Sequence, residues 1–405
     1  MKRFFTFPAL AVIAANVFAL DELTGSIIED TITIKGIRYE LLTAEYFNVE
    51  NGTFSNRSHT KVLPLDDDIN KLNRKRYTGV VEILPSINHN GKEYTTYYIG
   101  ENAFRDCVDL QEVILPESVM ELCDYAFAGC SNLKLTLPQS VKALGSYVFH
   151  GTTFLETPND FTNVQLIADN AFAGTEYRHL LFGYGTIHFK YNSLTGSEIE
   201  SVAFEETGEE QWPQFFAEPY AFYGCKLREF KFPEMRVSLG SETFSLCPDL
   251  ERIIFPNQPY MRDVYDSNNL KPQTRYIIKE CPSLKEIVVM SSVPTKIYTY
   301  WYHPALVPPP PYDATPIIDD HSQCVLKVPQ GSEELYRADP VWGRFERIEG
   351  FAPGEYTGIS EAPVAEVESE VTTVYYNLQG MSVKEPVKGQ LYIRRTGAKT
   401  AKIIY

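Results

Sequence analysis

The seven cysteines and seven histidines are the residues of this chain best suited to chemistry, as nucleophiles, redox centres or metal ligands. The histidines are scattered, and neither His-Glu-x-x-His nor Cys-x-x-Cys occurs, so a zinc site lacks its usual spacing. Asp66, Asp68 and Asn70 imitate the start of a calcium loop. The following glycine is missing, however, and Tyr77 stands where the twelfth-place acid is needed. Glu205 and Glu206 could imitate a glycosidase acid pair, but neighbours on a strand point to opposite faces. There is no Gly-x-Ser-x-Gly elbow and no phosphate-cradling glycine loop. The residues specify no enzyme, no cofactor and no metal.

Attention therefore shifts to the elements that hold these side chains. At 405 residues, with 44% hydrophobic and 22% charged, the chain has the composition of a globular or repeat protein. A net charge of −16 argues against nucleic acid and against adsorption to an anionic membrane. Tyr (26) and Phe (24) are abundant, which suits strands and contact surfaces. Residues 1–19 read as a signal peptide: Lys2 and Arg3 precede an apolar run, with Val17 and Ala19 as the small residues before the cut. Nothing later reaches the roughly 18 consecutive apolar residues of a membrane span. The expectation is an exported chain, secreted or held on the outer cell surface.

A repeat organises the rest. Phe104, Phe127, Phe149, Phe172, Phe222 and Phe244 hold one place, in steps of 23, 22, 23, 50 and 22 residues. Three residues after each comes Cys107, Cys130, Thr152, Thr175, Cys225 or Cys247. The step of 50 reads as two units, with "IESVAF" (199–204) inside it and "TGEEQWPQ" (207–214) as a short insertion; a further unit ends at Cys281. Strands such as "LQEVILP" (110–116), "LREFKFP" (227–233) and "LERIIFP" (250–256) follow the cysteine corner, and proline stops them. A fixed period near 22–23 specifies a solenoid, mainly β, whose units bury their apolar sides only against one another. In that arrangement Ala lets coils approach, Phe fills the interior, and the cysteine slot needs only a small, weakly polar residue. Neighbouring coils roughly 4.8 Å apart would permit bonds between Cys107 and Cys130 or Cys225 and Cys247. Because Thr fills the same slot, buried free thiols are the expectation.

The pattern Cys-x-x-Leu-x-x-Val-x-Leu-Pro, followed by Ile/Leu-Gly-x-x-Ala-Phe, resembles the BspA-like leucine-rich repeat family of exported bacterial surface proteins. Tyr77, Gly79, Ile83, Pro85, Gly91 and Tyr94 match its N-terminal segment. Val328, Pro329, Gly331, Ser332, Tyr336, Trp342, Phe345 and Ile348 match its closing unit. The resemblance implies a right-handed coil and adhesion to host or neighbouring-cell proteins. The domain plan that follows is a signal peptide (1–19), an N-terminal β cap (20–98) and repeats (99–350) carrying an aromatic and proline insertion at 291–322. An acidic linker (351–370) and a C-terminal β tail (371–405) complete it. Tyr376, Asn377, Leu378, Gly380, Val383, Gly389, Tyr392 and Ile393 make this tail resemble the sorting domains of the type IX secretion route. A small β-module with no address function is the alternative.

Two surfaces are open to partners. Outward positions of the repeated strands form a row of mixed charge: Gln111, Glu112, Lys134, Arg228, Glu229, Lys231, Glu251, Arg252, Lys285 and Glu286. Such a row is either a protein-binding face or merely solvated. The segment 296–312 carries Tyr298, Tyr300, Trp301, Tyr302 and Tyr312 beside a proline run. Its rings suit protein hot spots or sugar stacking, or they pack back on the last coil. The expected function is a non-catalytic cell-surface adhesin for host or bacterial proteins. The alternative is a glycan-binding protein that uses the loop around Trp301.

Overall fold

In the repeats, alternation of buried and exposed residues over four or five positions, cut by proline or a tight turn, allows only short strands, and short strands are what form there. The computed structural model describes residues 21–48, 53–68, 75–156, 160–205, 213–258, 260–264, 276–299, 317–356, 373–376, 382–383, 391–396 and 399–404. The signal-peptide reading at 1–19 lies outside them. Up to Pro353 the chain is one unit; Gly354–Tyr405 is another.

Each coil of the first unit has three faces. The Leu-x-x-Val strands pair in parallel as sheets of four, three and five strands, of which Leu110–Ile114, His179–Phe182 and Arg252–Phe255 are members. Leu110, Val113, Leu180, Ile253 and Phe255 of these strands are buried, as the inward positions require. After the proline turn, a second short strand per coil joins one 13-stranded sheet. That sheet runs from antiparallel Asp21–Ile34, Ile37–Asn48 and Thr53–Leu63 through Glu121–Leu122 and Ala143–Leu144 to Lys296–Thr299.

The third face is a turn, and it is the most regular feature of the chain. Asn102, Tyr125, Tyr147, Asn170, Asn192, Tyr220 and Glu242, each two residues before the core residue, have positive φ. So do Asp106, Gly129, Gly151, Gly174, Gly196, Gly224 and Leu246, two residues after it. This double left-handed kink points alternate amides along the solenoid axis. Tyr125, Phe127 and Gly129 donate to the carbonyls of Ser146, Val148 and His150, and the pattern repeats coil after coil. Glycine recurs at the second kink for two reasons: a left-handed backbone costs it little, and at Gly129 a Cβ would come within 2.6 Å of Asp106 Oδ1.

Inside the turn the phenylalanines stack. Ring centroids lie 5.2 Å apart for Phe104–Phe127, 6.1 Å for Phe127–Phe149 and 5.0 Å for Phe222–Phe244. Tyr77 closes the column at one end, 4.9 Å from Phe104. At the other end Trp342, whose Nε1 donates to the Thr295 carbonyl, packs on Phe255. Tyr336 beside it donates to the carbonyl of Ser291. The short helix Glu333–Arg337 and the 3-10 turn Trp342–Arg344 therefore form a lid on the last coil.

In most coils one hydrogen bond explains the cysteine slot, while Thr175 and Ser197 donate instead to the Phe172 and Leu194 carbonyls of their own coil. Cys130, Thr152 and Cys247 donate to the carbonyls of Phe104, Phe127 and Phe222 of the preceding coil, at 3.1, 2.6 and 3.1 Å. A small donor is the shared requirement, so Cys and Thr interchange. All seven cysteines are free and buried. The unit hidden in the 50-residue step has Leu194 in the phenylalanine place and Ser197 in the cysteine place, with Leu194 donating to Ala221 like the others. Cys225 then bonds the Leu194 carbonyl at 3.2 Å.

Two expected boundaries move. The insertion at 291–322 is narrower, because Lys296–Thr299 continues the 13-stranded sheet beside Tyr260–Val264, and Ile318 bridges to Ile278. Of the expected insertion, 300–316 lies outside the described residues. The linker cannot begin at 351, since Ile348–Phe351 is the last strand of the five-stranded sheet and Phe351 is buried. In the second unit, Thr373–Tyr376, Ser382–Val383, Leu391–Thr396 and Lys399–Ile404 form an antiparallel sheet.

Where the cap meets the first coils, Lys61 Nζ lies 3.0 Å from Glu101 and 3.5 Å from Glu40. Burial draws the Lys61 ammonium down, but Glu101 and Glu40 outweigh it and hold Lys61 above its usual value. Glu121, 8% exposed, has no such close partner among the described residues: burial, then the charges of Glu101 and Asp124, outweigh the pull of Lys61 and push its carboxyl up to about 8.

Two measurements test these points. Thr152→Val removes the donor at nearly constant shape and is expected to cost about 1 kcal/mol in denaturant unfolding; Thr152→Cys keeps the donor and should cost less. An acid whose folded pKa is raised binds its proton more tightly in the folded state, so its stabilising effect is complete below the unfolded value and fades as pH rises. Glu121→Gln should therefore match the wild type near pH 4.5 and melt progressively higher than it as pH climbs towards about 8. A constant difference across that range would contradict the assignment.

Candidate functional site

Parallel register decides what the charged row does. Glu229, Arg252 and Glu286 are direct neighbours across three strands. The Arg252 guanidinium sits between the two acids, Nη1 2.8 Å from Glu229 and Nε 2.7 Å from Glu286. Lys285 pairs with Glu251 at 2.8 Å and holds that carboxyl below its usual value. Lys134 pairs with Glu112 at 3.1 Å. The row thus lies outward as expected, but most of its charges are tied to the next coil. Arg228 and Gln111 are exposed and Lys231 half-buried. Ile254 and Val288, in the outward file between Lys231 and Lys327, are buried, which the alternation did not foretell.

Sequence reasoning missed the rest of this ladder: Arg178–Glu200 at 2.8 Å, Lys226–Glu198 at 2.6 Å and Lys327–Glu349 at 2.7 Å. A signal was present, since the partners are separated by 22, 28 and 22 residues, one coil each.

The aromatic segment separates from the row. Tyr298 belongs to Lys296–Thr299 in the 13-stranded sheet, opposite Arg262, and so lies on a different face from Arg252. Tyr300, Trp301, Tyr302 and Tyr312 lie outside the described residues.

The turn face carries rings that sequence reasoning also passed over. Tyr125 and Tyr147 stack with centroids 4.8 Å apart and planes 4° from parallel, and the Arg105 guanidinium covers Tyr125 at 4.7 Å. Farther along, Tyr191, Tyr220 and Tyr223 meet edge to face. Tyr125, Tyr147 and Tyr220 stand two residues before a core residue, Tyr191 three before and Tyr223 one after; the recurrence with the period was the available signal.

Two places among the described residues carry groups that catalysis could use. Burial pushes the Cys225 and Cys324 thiols up to about 12, far from the thiolate a nucleophile requires. His179 Nδ1 lies 2.8 Å from Ser201 Oγ, a nucleophile–base distance. Both face outward from neighbouring strands, and among the described residues no carboxylate orients the imidazole. Among the described residues no three acids, histidines or cysteines converge as metal ligands, and no helix is long and apolar enough to cross a membrane.

Solved structures similar to this chain match it at low identity. One is a leucine rich cell surface protein from Faecalibacterium prausnitzii A2-165, 15% identical over 74% of this chain and 78% of that one, with a TM-score of 0.40. Another is a leucine-rich repeat protein from Bacteroides ovatus ATCC 8483, 17% identical over 73% and 84%, with a TM-score of 0.30. The pneumococcal vaccine antigen PcpA is 14% identical over 80% and 99%, with a TM-score of 0.31. No curated protein sequence matches. The model of the BspA type leucine rich repeat region matches six copies over residues 83–200 and 217–304. Those copies span the stacked phenylalanines, the donor slot and the kinked turns, and the chain belongs to the BspA-type leucine-rich repeat family.

Proposed function

We propose that this chain is a non-catalytic, cell-surface binding protein that adheres to host or bacterial surface proteins through the outer face of its Leu-x-x-Val strands. The observation that supports this most is the ladder of opposite charges across that face, centred on Glu229, Arg252 and Glu286. Exposed pairs of this kind are worth only about 0–1 kcal/mol each. A partner with charges of both signs can replace them at little cost, whereas a polyanion would meet a carboxylate beside each base. Export by residues 1–19, and surface attachment through a sorting function of residues 371–405, belong to the same reading. Family membership supports it, and the net charge of −16 suits a protein kept off anionic lipid.

The test is binding of the mature chain to immobilised host matrix proteins at low and high salt. Arg228→Glu combined with Lys285→Glu is expected to weaken binding at least tenfold, and added salt to weaken it further. Trp301→Ala is expected to leave it unchanged. Undiminished binding by the double charge reversal, or its loss in Trp301→Ala, would overturn the assignment of the surface.

A further inference from the structure

Seven coils present the same left-handed position two residues before the core residue, and asparagine occupies three of them. Asparagine is among the few residues other than glycine that adopt this backbone readily. Tyr125, Tyr147 and Tyr220 hold the same conformation, where a bulky side chain is unfavourable. For Tyr125 the packing between Arg105 and Tyr147 accounts for the ring. Tyr147 is different. One face lies against Tyr125, so the other looks onward to the coil of Asn170, where the column stops. One coil beyond stands Tyr191, 42% exposed, braced edge to face by Tyr220. Asp169 accepts the backbone N–H of Tyr191 and fixes its place.

The result is a notch one coil wide. Tyr147, at the kink of one coil, stands on one side of it, and Tyr191, the residue before the kink of the next coil but one, on the other. Its floor is Asn170. The asparagines of the other coils are engaged: Asn102 Oδ1 accepts from Arg105 at 3.1 Å, and Asn192 Oδ1 accepts from Thr195 at 3.0 Å. In the coil of Asn170 the corresponding residue is Ala173, and among the described residues the Asn170 amide has no partner. His150 stands at right angles to Tyr147, its Nδ1 bonded to the Ala173 carbonyl at 2.8 Å. The same imidazole lies 4.0 Å from where a Cβ on Gly174 would be, and Gly174 lines an open recess of about 580 Å³ with Thr175, Glu176, Arg178, Gly196 and Glu198. Gly174 thus lies between His150 and the recess.

We propose that this turn face binds a neutral oligosaccharide, with one sugar ring seated on Asn170 between Tyr147 and Tyr191 and the chain continuing past His150 into the recess. A pyranose has C–H faces that stack on aromatic rings and a rim of hydroxyls. The uncommitted amide offers that rim both a donor and an acceptor. A peptide strand would need free backbone groups, and apart from Gly174 the core-residue and kink amides of these turns are committed from coil to coil. A nucleotide base would also stack, yet its phosphate would meet the acids Asp169, Glu176 and Glu198, while the nearby bases Arg178 and Lys226 are already paired with Glu200 and Glu198. This ligand and this face are separate from the protein surface around Arg252.

The intact chain is tested by titration with a panel of neutral oligosaccharides, namely oligomers of glucose, mannose, xylose and N-acetylglucosamine four to six units long. At least one is expected to bind. Tyr147→Asn and Asn170→Gly, both suited to a left-handed backbone, and Tyr191→Ser should each weaken it at least tenfold while the thermal midpoint and protein binding stay unchanged. The reversal at Arg228 and Lys285 should leave sugar binding intact. No binding by any panel member, binding indifferent to all three variants, or binding abolished by Trp301→Ala would overturn the proposal.

Discussion

In each turn the amides of the core residue and of the residue two before it donate to the following coil, and in every turn but that of Gly174 so does the amide two after it. That arrangement needs two left-handed residues four positions apart, and the rest of the solenoid depends on it. The kinks set the rise between coils on the side where, before Phe244–Ser245 pairs with Ile278–Lys279, no strand does so. Once the rise is fixed, core rings lie in register, with Phe104 and Phe127 5.2 Å apart. The small donor at the corner then reaches the carbonyl behind it, as Thr152 reaches Phe127 at 2.6 Å. A buried carbonyl with one lone pair empty would cost about as much as a lost hydrogen bond. The slot therefore selects Cys, Thr or Ser over an apolar residue of the same size.

The same geometry creates both surfaces. Because coils stack in parallel register, a charge at one outward position meets its counterpart one coil away, and Arg252 ends between two glutamates. Because the first kink turns its side chain outward, whatever residue stands there becomes part of a file along the axis. Where that residue is tyrosine the file is aromatic; where it is asparagine the file is notched. Function in this scaffold is written in the outward residues, which the core does not constrain.

The period made the core and the fold legible from residue types alone, since Phe at one place and Cys or Thr three residues later admit few other readings. Leu194 and Ser197 escaped because both places changed at once, although each substitution keeps the physics: an apolar filler and a small donor. The kinks were hidden by the mixture of Asn, Tyr and Glu at the first one. The five glycines from Gly129 to Gly224 at the second one were a usable sign. Outward placement of Arg252 and Lys285 was readable, but their neutralisation was not, because pairing depends on register between coils. The burial of Ile254 and Val288 on that outward face has no account in the alternation of the strands.

The measurement closest to the central claim is hydrogen–deuterium exchange of the intact chain, resolved over residues 102–106, 125–129, 147–151, 170–174, 192–196, 220–224 and 242–246. Ordinary surface turns exchange quickly. If these turns form a hydrogen-bonded ladder between coils, their amides will exchange as slowly as those of Leu110–Ile114 and Arg252–Phe255. Exchange at the rate of exposed loops, with the strands still protected, would contradict the account.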